Sequence, residues 1–281
     1  MRYAPEADIV FIHIPKNAGQ SVRNAMARAT AISYAPLAKD LGISEAEAEV
    51  AVEKGMDVPK LGMIHPAHLP LWLLKERFPA SWRILRDAQS FALVRAVRPR
   101  FLSAVMQRLR EFRDTGPIRS DDPVVREEAA RVCEWLATQA RPVALEYVHF
   151  IPQSHFIDMD GRRIVNAIFP TDRMDAVADW LDEAGLHIEI THDHARRQPK
   201  PWARPIQPIA RFAGRYLMPH AIKRALHPIW ARSGAFADAA GGYAQVDLGS
   251  DVEDFIASYY ASDQKMFEES LAGIDRKSAS E

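Results

Sequence analysis

The chain has 281 residues, 48% of them hydrophobic and 26% charged, with a formal net charge of −1 and one cysteine. That length supplies one large domain or two small ones with ample core. The near-zero charge excludes a globally basic nucleic-acid binder, and the lone Cys133 excludes a disulfide framework or a thiolate metal site. Residues 1–8 lack the charged-then-apolar layout of a signal peptide, and no apolar run reaches membrane-spanning length. The expectation is a cytoplasmic protein.

In chain order, residues 9–14 read as a central strand, because they are apolar on both faces. Residues 19–29 read as a helix, with Val22, Ala25, Met26 and Ala29 at helical spacing. Residues 36–41 are expected to be a connector. Ser44 and Glu47 form a capping box that opens an acidic surface helix ending near Lys54. Residues 59–70 read as a loop containing His65 and His68, and residues 71–78 as a helix. Residues 90–94 are a second buried strand, ending at Arg95. A helix follows over residues 99–112, with Pro99 in its first turn. Strand, turn and helix have then occurred twice, which predicts a parallel α/β sheet flanked by helices.

A helix within residues 121–139 places Val125, Ala129, Val132 and Leu136 inward. Asp160-Gly161 is a hairpin signal between the expected strands 150–157 and 163–169. Residues 171–185 form a helix with Met174, Val177, Ala178 and Leu181 inward. Residues 196–232 carry nine Lys or Arg and no Asp or Glu, with Trp202, Phe212, Tyr216 and Trp230 among them and prolines that break them into short helices. Residues 233–250 read as a glycine- and alanine-rich linker, and residues 252–272 as one long closing helix.

Two stretches carry chemistry. The first is His13-Ile14-Pro15-Lys16-Asn17-Ala18-Gly19-Gln20-Ser21. A strand, a tight loop with a lysine and a helix start make a natural anion site, with the N–H groups of Gly19, Gln20, Ser21 and Val22 lining the first turn. It is not a Walker A loop, because Lys16 precedes Gly19 instead of following a glycine directly. The second runs from Phe91 through Val94-Arg95 to Ser103, with Arg98 and Arg100 adding positive charge.

Together the two stretches resemble the motifs of the PAPS-dependent carbohydrate sulfotransferases (the heparan sulfate 2-O-sulfotransferase-like group and its bacterial relatives). Their first motif reads H-I-P-K-T-(A/G)-G-T-S and their second F-x-(F/L)-V-R-(D/N)-P-x-x-R-x-x-S. His68 ahead of a helix, the stretch from His149 to Gln153 and a closing helix with Tyr260 and Asp263 are also similar. The chain departs from the pattern at Asn17, Gln20 and Ala96-Val97. The resemblance implies one P-loop-like, three-layer α/β domain over residues 1–281, with a basic helical insertion at about 192–250. It implies that Pro15 to Val22, with Lys16 at their head, hold the 5′-phosphosulfate of PAPS (3′-phosphoadenosine 5′-phosphosulfate). Arg95 and Ser103 would hold its 3′-phosphate. The acceptor would be a saccharide or glycolipid, with His149 and Gln153 at its site.

The attacking hydroxyl needs a base, and histidine suits neutral pH. His68 is favoured and His65 is the runner-up. No metal is expected, because His65-x-x-His68 and His192-Asp-His194 lack an assigned third ligand. Residues 196–232 have three readings: a site for an anionic acceptor, peripheral contact with an anionic membrane, or a solvated face. Two other functions compete, a P-loop-type small-molecule kinase and a non-catalytic interaction protein on the same fold.

Overall fold

In the computed structural model, strand β2 (Ile9–Ile12) is buried at every position, as its unbroken apolar run demands. The structure describes residues 1–113, 118–142, 144–190, 197–199, 236–238 and 245–278. Four strands form the central sheet, in the order β1 (Arg2–Ala4), β2, β5 (Gln89–Val94) and β8 (Ala167–Pro170). β2, β5 and β8 run parallel, with Phe11 opposite Phe91 and Phe91 opposite Ala167. β1 pairs antiparallel with β2, so the sheet is mixed and not parallel throughout as expected. A two-register turn back from β1 fits within the four residues that separate it from β2, which only an antiparallel pair permits.

Alternate residues of each strand feed two cores. Val10, Ile12, Ala92 and Val94 face one side, against Leu71, Leu74, Phe78 and Met266. Ile9, Phe11, Phe91 and Leu93 face the other, against Val22, Met26, Val177 and Leu181. The second side is covered by α1 (Gly19–Ala29) and α8 (Met174–Glu183), and helices therefore lie on both faces.

The first side is built from several short elements. Residues 36–41 are not a connector but belong to α2 (Ala35–Leu41), with Pro36 in the first turn, where its missing N–H costs nothing, and Gly42 at φ 68° ending it. α3 (Glu45–Lys54) begins with the expected reciprocal Ser44–Glu47 box. β3 (Met56–Val58) and β4 (Gly62–Ile64) form a small hairpin whose second strand falls in the stretch 59–70 read as loop. α4 (Leu71–Arg77) is followed by α5 (Pro79–Asp87), whose opening proline resembles a stop in sequence but sits in a first turn.

α6 (Val97–Phe112) leaves the end of β5 and packs against α7 (Pro123–Ala137). Cys133 is buried in α7, and burial pushes its thiol up to about 12. Asp160-Gly161 does turn a hairpin, with both residues at positive φ, but its strands β6 (Asp158–Met159) and β7 (Arg162–Arg163) are two residues each. The flanking segments expected as strands are instead 3-10 turns at Leu145–Phe150 and Gln153–Phe156 and the main-sheet strand β8. The single closing helix is two, α9 (Ser250–Tyr259) and α10 (Ala261–Ser278), parted at Tyr260.

Residues 1–191 with 247–281 form one compact unit, and residues 192–246 form a second. In the second, β9 (Arg197–Pro199) pairs antiparallel with β10 (Phe236–Asp238), a strand within the expected linker. β9 thus stands at the start of the segment 196–232 that was expected to form short helices, and residues 200–232 lie outside the described residues.

Candidate functional site

The carboxyl ends of neighbouring parallel strands β2 and β5 bring the two chemistry-bearing stretches together, where ligands of such sheets gather. Between β2 and α1 the chain turns through Lys16 at φ 69° and Ala18 at φ 53°. Left-handed backbone costs a non-glycine residue about 1–2 kcal/mol, so the surroundings must hold the loop in place. Asn17 does so from inside. It is buried, and its Nδ2 donates to the Leu93 carbonyl and to Gln153 Oε1, each at 2.6 Å. Arg95 Nη1 donates to the Lys16 carbonyl at 3.1 Å, and buried Arg100 donates to the Pro15 carbonyl at 3.2 Å.

No side chain caps α1. The Ser21 N–H is engaged by the Ala18 carbonyl at 3.1 Å. That bond takes Ser21 out of the set of free first-turn donors expected from the sequence. Lys16 Nζ donates to Gln107 Oε1 on α6, and Gln107 Nε2 donates to Glu111 at 2.6 Å. Gln107 had no sequence signal, being one polar residue on an amphipathic helix.

Gln153 was expected at the acceptor site. It is fully buried, and both ends of its amide are used: Oε1 accepts from Asn17 and from the Arg95 N–H at 2.9 Å, while Nε2 donates to the Arg95 carbonyl at 2.9 Å. It braces the two strand ends and offers no surface to a ligand. Asp263 on α10 holds that brace by accepting from the N–H groups of Gln153 and Ser154 at 2.6 and 2.9 Å. Tyr260 adds a 2.6 Å bond to the Phe150 carbonyl. Ser103 is buried in α6, one turn beyond Pro99. Arg98 and Arg100 do not supply the open positive field expected of them. Arg98 is held by the Glu253 carboxylate at 2.8 Å, and Arg100 by backbone carbonyls.

Four histidines converge beside the loop. The His68 ring lies 4.7 Å from those of His13 and His65 and 5.9 Å from that of His149. His68 Nδ1 is 2.9 Å from the His13 carbonyl, which can only accept, so Nδ1 carries the proton and Nε2 keeps a lone pair. His65 Nδ1, by contrast, is sealed and has no partner. Burial is the main cause that lowers all four pKa values: well below the usual range for His13 and His68, lower for His65, and down to about 3 for His149. For His149 the next cause is the positive charge of the Lys16 ammonium.

A cleft of about 590 Å³ lined by Trp72, Lys75, Arg141 and His155 contains none of these residues. The loop's strained backbone, inward bracing and unpaired helix N–H groups mark it out more strongly than volume does. Among the described residues, no group of three or more His, Cys, Asp or Glu is arranged to hold a metal ion, and no helix is long and apolar enough to cross a membrane. The fold and site thus define an α/β protein with a mixed four-stranded sheet and a braced, lysine-bearing loop at the carboxyl end of a central strand. A scan against protein-family models, a search of curated proteins and a search of solved structures each gave no match.

Proposed function

We propose that the chain transfers the sulfuryl group of PAPS to a hydroxyl of a saccharide or glycolipid, on a P-loop-like strand, loop and helix. The observation that carries this reading is the juxtaposition at one strand end of Lys16, on a strained loop at a helix start, with His68, whose proton is held on Nδ1. The resemblance of both sequence stretches to the sulfotransferase motifs supports the same assignment.

The donor set suits such a ligand. The Gly19 and Gln20 N–H groups and the Lys16 ammonium offer positive potential to the phosphosulfate. Arg95, bonded to the Lys16 carbonyl from just beyond the neighbouring strand, and Ser103 on α6 are assigned to the 3′-phosphate. In the step itself, His68 Nε2 takes the proton of the attacking hydroxyl. The new oxygen–sulfur bond forms as the bond from sulfur to the bridging oxygen breaks. Lys16, released from Gln107, neutralises the charge left on that oxygen, and adenosine 3′,5′-bisphosphate leaves. The single domain with an insertion near 192–250, and an acceptor in contact with His149, belong to the same proposal.

Calorimetry tests it. The chain is expected to bind adenosine 3′,5′-bisphosphate without magnesium, and Lys16→Ala to weaken that binding. His68→Ala should keep the binding and lower turnover by about 100-fold or more. Preference for ATP with magnesium would instead make the protein a kinase, and no nucleotide binding at all would leave an interaction protein.

A further inference from the structure

Arg2 is an unusual occupant of a core. It lies on β1, is 1% exposed, and spends its charge on two partners: Glu53 at 3.3 Å and His13 Nδ1 at 3.0 Å. A guanidinium has five donors and no acceptor, and it stays protonated in proteins. The Arg2–His13 contact therefore has one sense. Nδ1 of His13 accepts, and the ring proton of the neutral imidazole sits on Nε2.

The position of that Nε2–H is set by a second observation. A Cβ added to Gly19 would lie 2.1 Å from His13 Cδ2 and 2.3 Å from His13 Nε2. The ring edge that carries the proton thus occupies the place of a Gly19 side chain, at the first residue of α1. Nε2 bonds to no described residue, and it is not one of the side-chain nitrogens sealed from solvent. The His13 carbonyl meanwhile holds His68, so the same residue orients the base through its backbone and faces the helix start through its ring.

We propose that His13 is a further anion-binding residue: its Nε2–H, oriented by Arg2, donates to a sulfate- or phosphate-type oxyanion seated at the start of α1. This rests on the reading of the Lys16 loop as an anion cradle, and it adds a third kind of donor to the helix N–H groups and the ammonium. Gly19 acquires a purpose as well, because any side chain there would push the imidazole aside. Burial and the neighbouring Arg2 keep the ring uncharged, so it binds as a dipole and does not need acid to do so.

The test has a part that needs no ligand. In the ¹⁵N spectrum of the full chain at pH 7, His13 should show a protonated Nε2 and an unprotonated Nδ1. Arg2→Met should let the two tautomers mix, and Arg2→Lys should restore the original one. Adenosine 3′,5′-bisphosphate and inorganic pyrophosphate are then titrated by calorimetry. His13→Phe, which keeps a flat ring, should weaken both by about 10- to 100-fold, the value of a hydrogen bond to a charged group. Gly19→Ala should do the same with the histidine still present, and His13→Gln should recover part of the loss. Pyrophosphate binding without nucleotide binding would sink the sulfotransferase reading but leave the role of His13 to be decided by the variants. A protonated Nδ1, an unchanged affinity in His13→Phe, or a wild-type chain that binds neither probe would overturn the inference.

Discussion

Replacing Asn17 measures how firmly the loop is tied down. Its Nδ2 makes two short bonds, to the Leu93 carbonyl and to Gln153 Oε1, in a site that is 1% exposed. Two buried hydrogen bonds at about 1 kcal/mol each, with the Leu93 carbonyl losing its side-chain donor, put the loss near 2–3 kcal/mol. Against this, Asn17 Oδ1 is itself sealed without a partner, and deleting it returns about 1 kcal/mol. Asn17→Ala is therefore expected to cost about 1–2 kcal/mol. Asn17→Asp keeps the shape but turns an acceptor-only carboxylate toward two acceptors, so it should cost more than the alanine variant at pH 7, and the gap should narrow on acidification as the carboxyl gains a proton. Urea unfolding at constant slope reads both. An aspartate variant as stable as the alanine variant, or more stable, would show that the amide does not donate to these oxygens, and the bracing argument would fail with it.

Ala18→Gly should stabilise the chain by about 0.5–1 kcal/mol. Relief of left-handed backbone at φ 53° exceeds the extra chain entropy of glycine, and an exposed methyl gives up no packing; a lower urea midpoint would show that the loop is not strained. Acid should destabilise the protein through the histidine cluster. Because the folded pKa values of His13, His65, His68 and His149 are lowered, their contribution is fully present above the unfolded value of about 6.5 and is lost as pH falls below it, by up to about 1.4 kcal/mol per pH unit for each ring that is still neutral. His149→Gln should flatten the dependence of the urea midpoint on pH between 7 and 5; an unchanged slope would place that ring in water.

The sequence carried its local physics plainly. The apolar run of β2, the Ser44–Glu47 box, the Asp160-Gly161 turn and the helices around Val22, Leu136 and Leu181 were all legible, because each depends on neighbours within a few residues. Lys16 and Arg95 were legible as chemistry for the same reason, since each follows a strand directly. Residues 36–41 were misread as a connector, because a proline tolerated in a helix's first turn looks identical in sequence to a break.

What only the tertiary structure decided was which polar groups face a ligand and which hold the frame. Gln153, Arg98 and Arg100 had the composition of a binding site, yet their partners are Asn17, Glu253 and backbone carbonyls far away in the chain. His13 and His68 became distinct through a guanidinium from β1 and a carbonyl from the end of β2. A tautomer is set by what lies within 3 Å of a ring nitrogen, and for His68 that neighbour is 55 residues away in sequence. No local pattern encodes such a contact; the folding of one strand beside another creates it.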